Sequence, residues 1–171
     1  GTSFQGTSVS LSADGNTAIV GGYADQGPSG GAAWIYTRTD GAWTQQGAKL
    51  VGTGGIGFTG QGYSVSLSAD GNTAIVGGSR DNSQGGAVWV YTRTGTAWTQ
   101  QGAKLVGTGA AGASWQGNSV SLSADGNTAI VGGHRDNSGQ GAAWVYTRTG
   151  GAWAQQGAKL FGTGSTWAQQ G

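Results

Sequence analysis

The 171 residues carry eight basic and seven acidic side chains for a net charge of +1, a field too weak to make nucleic acid or an anionic membrane surface the expected partner. Cysteine is absent, which excludes disulfides and thiolate metal sites, and no apolar run approaches the ~18 residues of a membrane span. Glycine is the anomaly: 38 Gly and one Pro suggest low-complexity chain, yet eight Trp and a strict period place the sequence among folded repeat proteins.

Gly6, Gly62 and Gly117 each stand just ahead of a Ser-Val-Ser-Leu-Ser run, and Gly171 falls in the same phase, at spacings of 56, 55 and 54. The chain therefore reads as one repeat domain, 1–171, with units at about 7–62, 63–117 and 118–171 and with 1–6 as the tail of a preceding repeat. Within a unit the hydrophobic period is two. Val9, Leu11 and Ala13 alternate with Ser8, Ser10 and Ser12, predicting a strand with one apolar and one hydroxyl face. Asp14-Gly15 supplies a turn with positive φ, and 16–20 is the returning strand of a hairpin. The stretch from Ser12 to Gly22 recurs unchanged at Ser68 to Gly78 and at Ser123 to Gly133.

A glycine-rich loop follows, at 21–31, 77–86 and 132–141, where the units differ most. The third strand spans 32–38, with Trp34, Tyr36 and Arg38 on one face and Ala33, Ile35 and Thr37 on the other. After a second turn, a fourth strand at 42–46 leads through Gly47 to the apolar piece Lys49-Leu-Val51. Glycine bounds every element, and a helix interior would lose roughly 1 kcal/mol per Gly relative to Ala. The fold class expected is all-β, three four-stranded antiparallel repeats of about 55 residues. Both strand faces can be buried against neighbours, which favours blades of a β-propeller over a trefoil or prism.

The run from Phe4 to Gly22, Phe-Gln-Gly-Thr-Ser-Val-Ser-Leu-Ser-Ala-Asp-Gly-Asn-Thr-Ala-Ile-Val-Gly-Gly, followed by Gly31-Ala-Ala-Trp-Ile-Tyr36, resembles the FG-GAP repeat of integrin α-chain propellers and bacterial surface proteins. The resemblance covers all three units and implies a blade of a ring of about seven. It departs where Phe-Gly becomes Phe4-Gln-Gly, Gly60-Gln-Gly and Trp115-Gln-Gly, and where Gly-Ala-Pro becomes Gly-Gly. That family's calcium loop alternates acidic residues, whereas each hairpin here offers one carboxylate, Asp14, Asp70 or Asp125, against the six to eight oxygens calcium takes. No cofactor or metal is expected. Three blades fall short of a ring, so further repeats or other copies of the chain are expected to complete it, as a homo-oligomer or longer array.

Candidate ligand-binding residues cluster in the variable loops: Arg80, Asp81 and Asn82, repeated as Arg135, Asp136 and Asn137, with Asp25 in the divergent first loop. Arg, Asp and Asn supply donors and acceptors suited to a sugar, and the same residues also hold loops of this kind in shape. Trp34, Trp89 and Trp144 read as packing residues, while Trp115 and Trp167 lie in connections between units, where an aromatic could bind a ligand or fasten blades. His134 is alone and reads as a solvated loop residue. With no Cys, no Glu and no paired carboxylates, an enzyme is not expected. The expected role is a non-catalytic, extracellular or cell-surface module for adhesion or ligand binding, to a glycan or surface protein, through the loops between the second and third strands. The alternative is a purely structural, self-assembling repeat.

Overall fold

The computed structural model describes residues 2–27 and 30–163. Trp167 and the glycine at 171 that closes the repeat phase lie outside them. Three four-stranded antiparallel sheets follow one another along the chain: β1 (Ser8–Leu11), β2 (Thr17–Gly22), β3 (Ala32–Thr39) and β4 (Ala42–Gln45); then β5 (Ser64–Leu67), β6 (Thr73–Gly78), β7 (Ala87–Thr94) and β8 (Ala97–Gln100); then β9 (Ser119–Leu122), β10 (Thr128–Gly133), β11 (Ala142–Thr149) and β12 (Ala152–Gln155). Each sheet is a meander in sequence order, and the three are blades of a β-propeller. A bridge from Leu50 to Ala33, repeated at Leu105 and Leu160, draws the apolar piece after the fourth strand back over the third.

The first hairpin turns differently from the simple two-residue turn that Asp-Gly suggests. Only the glycine, Gly15, Gly71 or Gly126, takes positive φ. The aspartate before it instead folds its carboxylate over the turn: Asp14 accepts from Ser12 Oγ at 2.5 Å, from the Asn16 amide at 2.9 Å and from Asn16 Nδ2 at 3.1 Å. The Asn16 N–H is therefore spent locally, and β2 begins one residue later than the alternation predicts. These bonds, with Ser12 the strongest, hold the Asp14 carboxyl below its ordinary range. Ser123 and Asn127 do the same for Asp125. At Asp70 burial opposes the shift, but Ser68, Asn72 and the charge of Arg93 outweigh it.

The core lies between sheets. Ile19, Ala33 and Ile35 of the first blade meet Val65, Leu67, Val76, Trp89 and Tyr91 of the second. Ile75, Val88 and Val90 on the opposite face of the second blade meet Ala129, Val131, Trp144 and Tyr146 of the third. The middle blade thus buries both faces, and every residue of β6 is buried. Serines of the hydroxyl face bond the next blade: Ser8 and Ser10 accept from the amides of Val65 and Leu67 at 3.0 and 3.1 Å. The close approach requires glycine, because a Cβ on Gly21 or Gly77 would collide with the carbonyl of Gly62 or Gly117 in the following connection.

Two short segments depart from the all-strand expectation. α1 (Asp81–Gln84) and α2 (Asp136–Gly139) are single turns in the loops after β6 and β10. Their middle residues are left-handed, with Asn82 at φ 49° and Asn137 at φ 49°. Asparagine tolerates that conformation, and the buried aspartate ahead of it locks the turn.

Candidate functional site

The variable loops meet the connections between blades at one end of the sheets, and the repeated aspartate is the fastener. Asp81 is fully buried. Its carboxylate accepts the Ile56 amide at 2.7 Å and pairs with Lys104. Asp136 does the same with the Ala111 amide, at 2.7 Å, and with Lys159. The backbone completes each junction, with the Asn82 amide donating to Ile56 O and the Asn137 amide to Ala111 O, both at 3.0 Å. Both carboxylates point inward, so they hold the loops rather than face a ligand. Asp25 pairs with Lys49 in a more exposed setting.

With the carboxylates engaged inside, the arginines beside them point outward. Among the described residues, ion pairs join Lys49 to Asp25, Lys104 to Asp81 and Lys159 to Asp136, so neither Arg80 nor Arg135 has a carboxylate partner there. Each lies over aromatic rings instead. The Arg80 guanidinium carbon is 5.4 Å from the Tyr23 ring and 5.7 Å from that of Phe58. Arg135 is 4.6 Å from the Trp115 ring, where the electron-rich face holds a cation without neutralising it.

Trp115 is the hub of the third blade's cluster. Its amide donates to Gln84 O at 2.9 Å and its indole Nε1 to Gln84 Oε1 at 3.0 Å, docking it on the preceding blade's loop. The His134 ring stands edge-on to it, 5.5 Å away. Trp115 holds φ at 58°, in a left-handed position that Gly60 fills in the preceding repeat. A non-glycine residue there costs roughly 1–2 kcal/mol, and the first repeat carries the same strain with Phe4 at φ 51°, so two of the three copies place an aromatic residue at this position. Next to this cluster a cavity of about 690 Å³ is lined by Ala111 to Ala113, His134, Arg135 and Asn137 to Gly139. The equivalent hollow on the second blade is about 330 Å³ and contains Arg80 and Phe58 but no imidazole.

Of the candidates from sequence, the structure therefore brings Arg135 and Asn137 to one cavity, with Trp115 beside it under Arg135, and buries Asp81 and Asp136 at the loop junctions. Arg80 lines the smaller hollow, and Asn82 sits at the turn beside it. His134 is exposed in its turn, as the sequence reading expects of a solvated loop residue, and it also lines the cavity, a placement that reading does not assign. The overlooked signal is positional: His134 replaces Ser79 of the preceding repeat, next to the one connection that puts tryptophan before Gln-Gly. Among the described residues no group of three or more His, Cys, Asp or Glu is placed to hold a metal ion, and no helix is long and apolar enough to cross a membrane.

No protein-family model matches the chain, and no curated protein does. Solved structures do. A Bacteroides uniformis protein provisionally named 6-phosphogluconolactonase superposes with a TM-score of 0.60 at 12% identity over 90% of this chain and 39% of its own. Sqt1 of Saccharomyces cerevisiae gives 0.58 at 14% identity, over 94% and 36%. A periplasmic gluconolactonase of Pseudomonas aeruginosa gives 0.54 at 18%, over 82% and 38%. The fold is a β-propeller. This chain spans less than two fifths of the length of each of these structures. Two of the three carry enzyme names, and that corrects the expectation of a non-catalytic adhesion module or purely structural repeat: nothing in the shared architecture sets such proteins apart from enzymes.

Proposed function

We propose that the chain forms part of a propeller hydrolase, with the third-blade cavity as the site of attack on a small hydroxylated ester or lactone. The observation that carries this reading is the convergence of His134, an unpaired Arg135, Asn137 and Ser138 on one cavity beside Trp115. An imidazole is suited to taking a proton from water near neutral pH. A guanidinium held on an indole face can bind the carbonyl oxygen as it gains charge, or an anionic group of the substrate. The amide and hydroxyl of Asn137 and Ser138 can orient sugar hydroxyls. The names of two structural neighbours supply the substrate class, and the word periplasmic in one of them supports a location outside the cytoplasm.

The test is acid release from glucono-δ-lactone followed by pH-stat, corrected for spontaneous hydrolysis. Wild-type protein accelerates release, His134→Ala lowers the catalysed rate by about 10²-fold or more, and Arg135→Ala raises KM. A wild-type rate equal to the spontaneous one, or a His134→Ala variant as fast as wild type, overturns the assignment.

A further inference from the structure

We infer that the two terminal blades form one heterologous interface, and that its occupant is a second copy of this chain, joined head to tail. The chain contains this interface twice already. At the first junction Val65 and Leu67 donate their amides to Ser8 and Ser10 Oγ; at the second, Leu122 donates to Ser66 Oγ at 3.1 Å. A second row of bonds runs parallel, from the Ala13 amide to Ala69 O and from the Ala69 amide to Ala124 O, both at 2.9 Å. At the rim, Arg93 and Trp98 of the second blade reach Gln46 Oε1 of the first at 3.4 and 2.9 Å. Arg148 and Trp153 reach Gln101 in the same way, at 3.1 and 2.9 Å.

Each half of this interface is also present without its mate. The receiving half buries Val65 and Leu67 to 6% exposure each, while the identical residues of the first blade, Val9 and Leu11, stand 66% and 58% exposed. The presenting half buries Ile19 and Ile75 completely, while Ile130 of the third blade is 43% exposed beside a shallow hollow that includes Ser119, Ser121 and Gly132. The turn glycines agree: Gly71 and Gly126 lie against the Ser and Thr of the preceding blade, whereas Gly15 meets only its own Arg38. What the first blade lacks is what the third presents. A foreign partner would have to reproduce the serine spacing, the glutamine at the rim and the apolar strip; another copy has all three in register. In the joined form Val9 and Leu11 amides bond Ser119 and Ser121 of the partner, Ile130 enters the core, and Arg38 and Trp43 reach the glutamine at 156. Such an interface is not self-complementary, so it continues until the rotation closes. Two copies give six blades, the smallest number of copies that can close.

Sedimentation equilibrium with native mass spectrometry tests this on the full chain and on Leu11→Asp and Ile130→Asp. Both substitutions fall on side chains exposed in the single copy, and circular dichroism confirms that each variant keeps its strands. Wild type is expected at twice the 16.9 kDa chain mass, and each variant alone at the single-chain mass. An equimolar mixture of the two variants regains a 1:1 pair, because each retains the half that the other lacks. Wild type as a single chain at 10 µM, variants that assemble like wild type, or a mixture that stays dissociated would each overturn the head-to-tail interface.

Discussion

Trp115 and Asp136 show how single residues in adjoining segments divide the work of the loops. Trp115 occupies a left-handed backbone position where Gly60 is relaxed, so Trp115→Gly is expected to leave the melting temperature unchanged or raise it. It also removes the surface beneath Arg135, and hydrolysis should fall with it; a stabilised variant with full activity would show that the tryptophan has no part in the site. Asp136 acts in the opposite sense. Its removal strands the Lys159 ammonium and the Ala111 amide at a buried junction, which is expected to lower stability by about 2–3 kcal/mol in urea titrations. Asp25→Ala breaks a more exposed pair and should cost at most about 1 kcal/mol. Equal losses at the two sites would contradict the inward role given to Asp136. Sequence shows that Arg-Asp-Asn repeats, but it cannot say which members face inward, because that depends on Lys104 and Lys159, more than twenty residues downstream and brought in by the third and fourth strands.

At the level of elements, the hairpin of each blade is written almost entirely in local sequence. Alternating Ser and Val or Leu fixes the faces, and Asp-Gly fixes the turn. The buried tryptophans of the third strands were legible from the same alternation. The short turns α1 and α2 were not, since their left-handed Asn and Ser are set by a buried carboxylate rather than by propensity. The hairpin carboxylates also set the response to acid. Their folded values lie below the ordinary Asp value near 3.8, so the unfolded chain binds protons more readily. The stability they provide is complete above that value and is lost as pH falls through the folded one. Urea midpoints should therefore drop below pH 4, and Asp70→Asn should be less stable at pH 6 and flatter between pH 4 and 2.5. A variant with the wild-type slope would place the acid sensitivity elsewhere.

For the whole molecule, one interface is used repeatedly, and its two halves stand uncovered on the first and third blades. Burying a Val or Leu side chain is worth roughly 1.5–3 kcal/mol; the second and third blades gain this from their predecessors, and the first blade does not within a single chain. The repeat period made the blades legible in sequence, and the near identity of the units concealed the site, which arises where they differ: a histidine in one loop and a tryptophan in one connection. The central claim is that this non-repeated cluster, and not the repeated frame, meets the small molecule. Indole N–H resonances report on it directly, because the chain has eight tryptophans, and Trp115→Phe assigns the signal of interest. On titration with gluconate, the Trp115 resonance is expected to shift and saturate while those of Trp34, Trp89 and Trp144 stay in place. Movement of the strand tryptophans with Trp115 unmoved, or no movement at all, would contradict it.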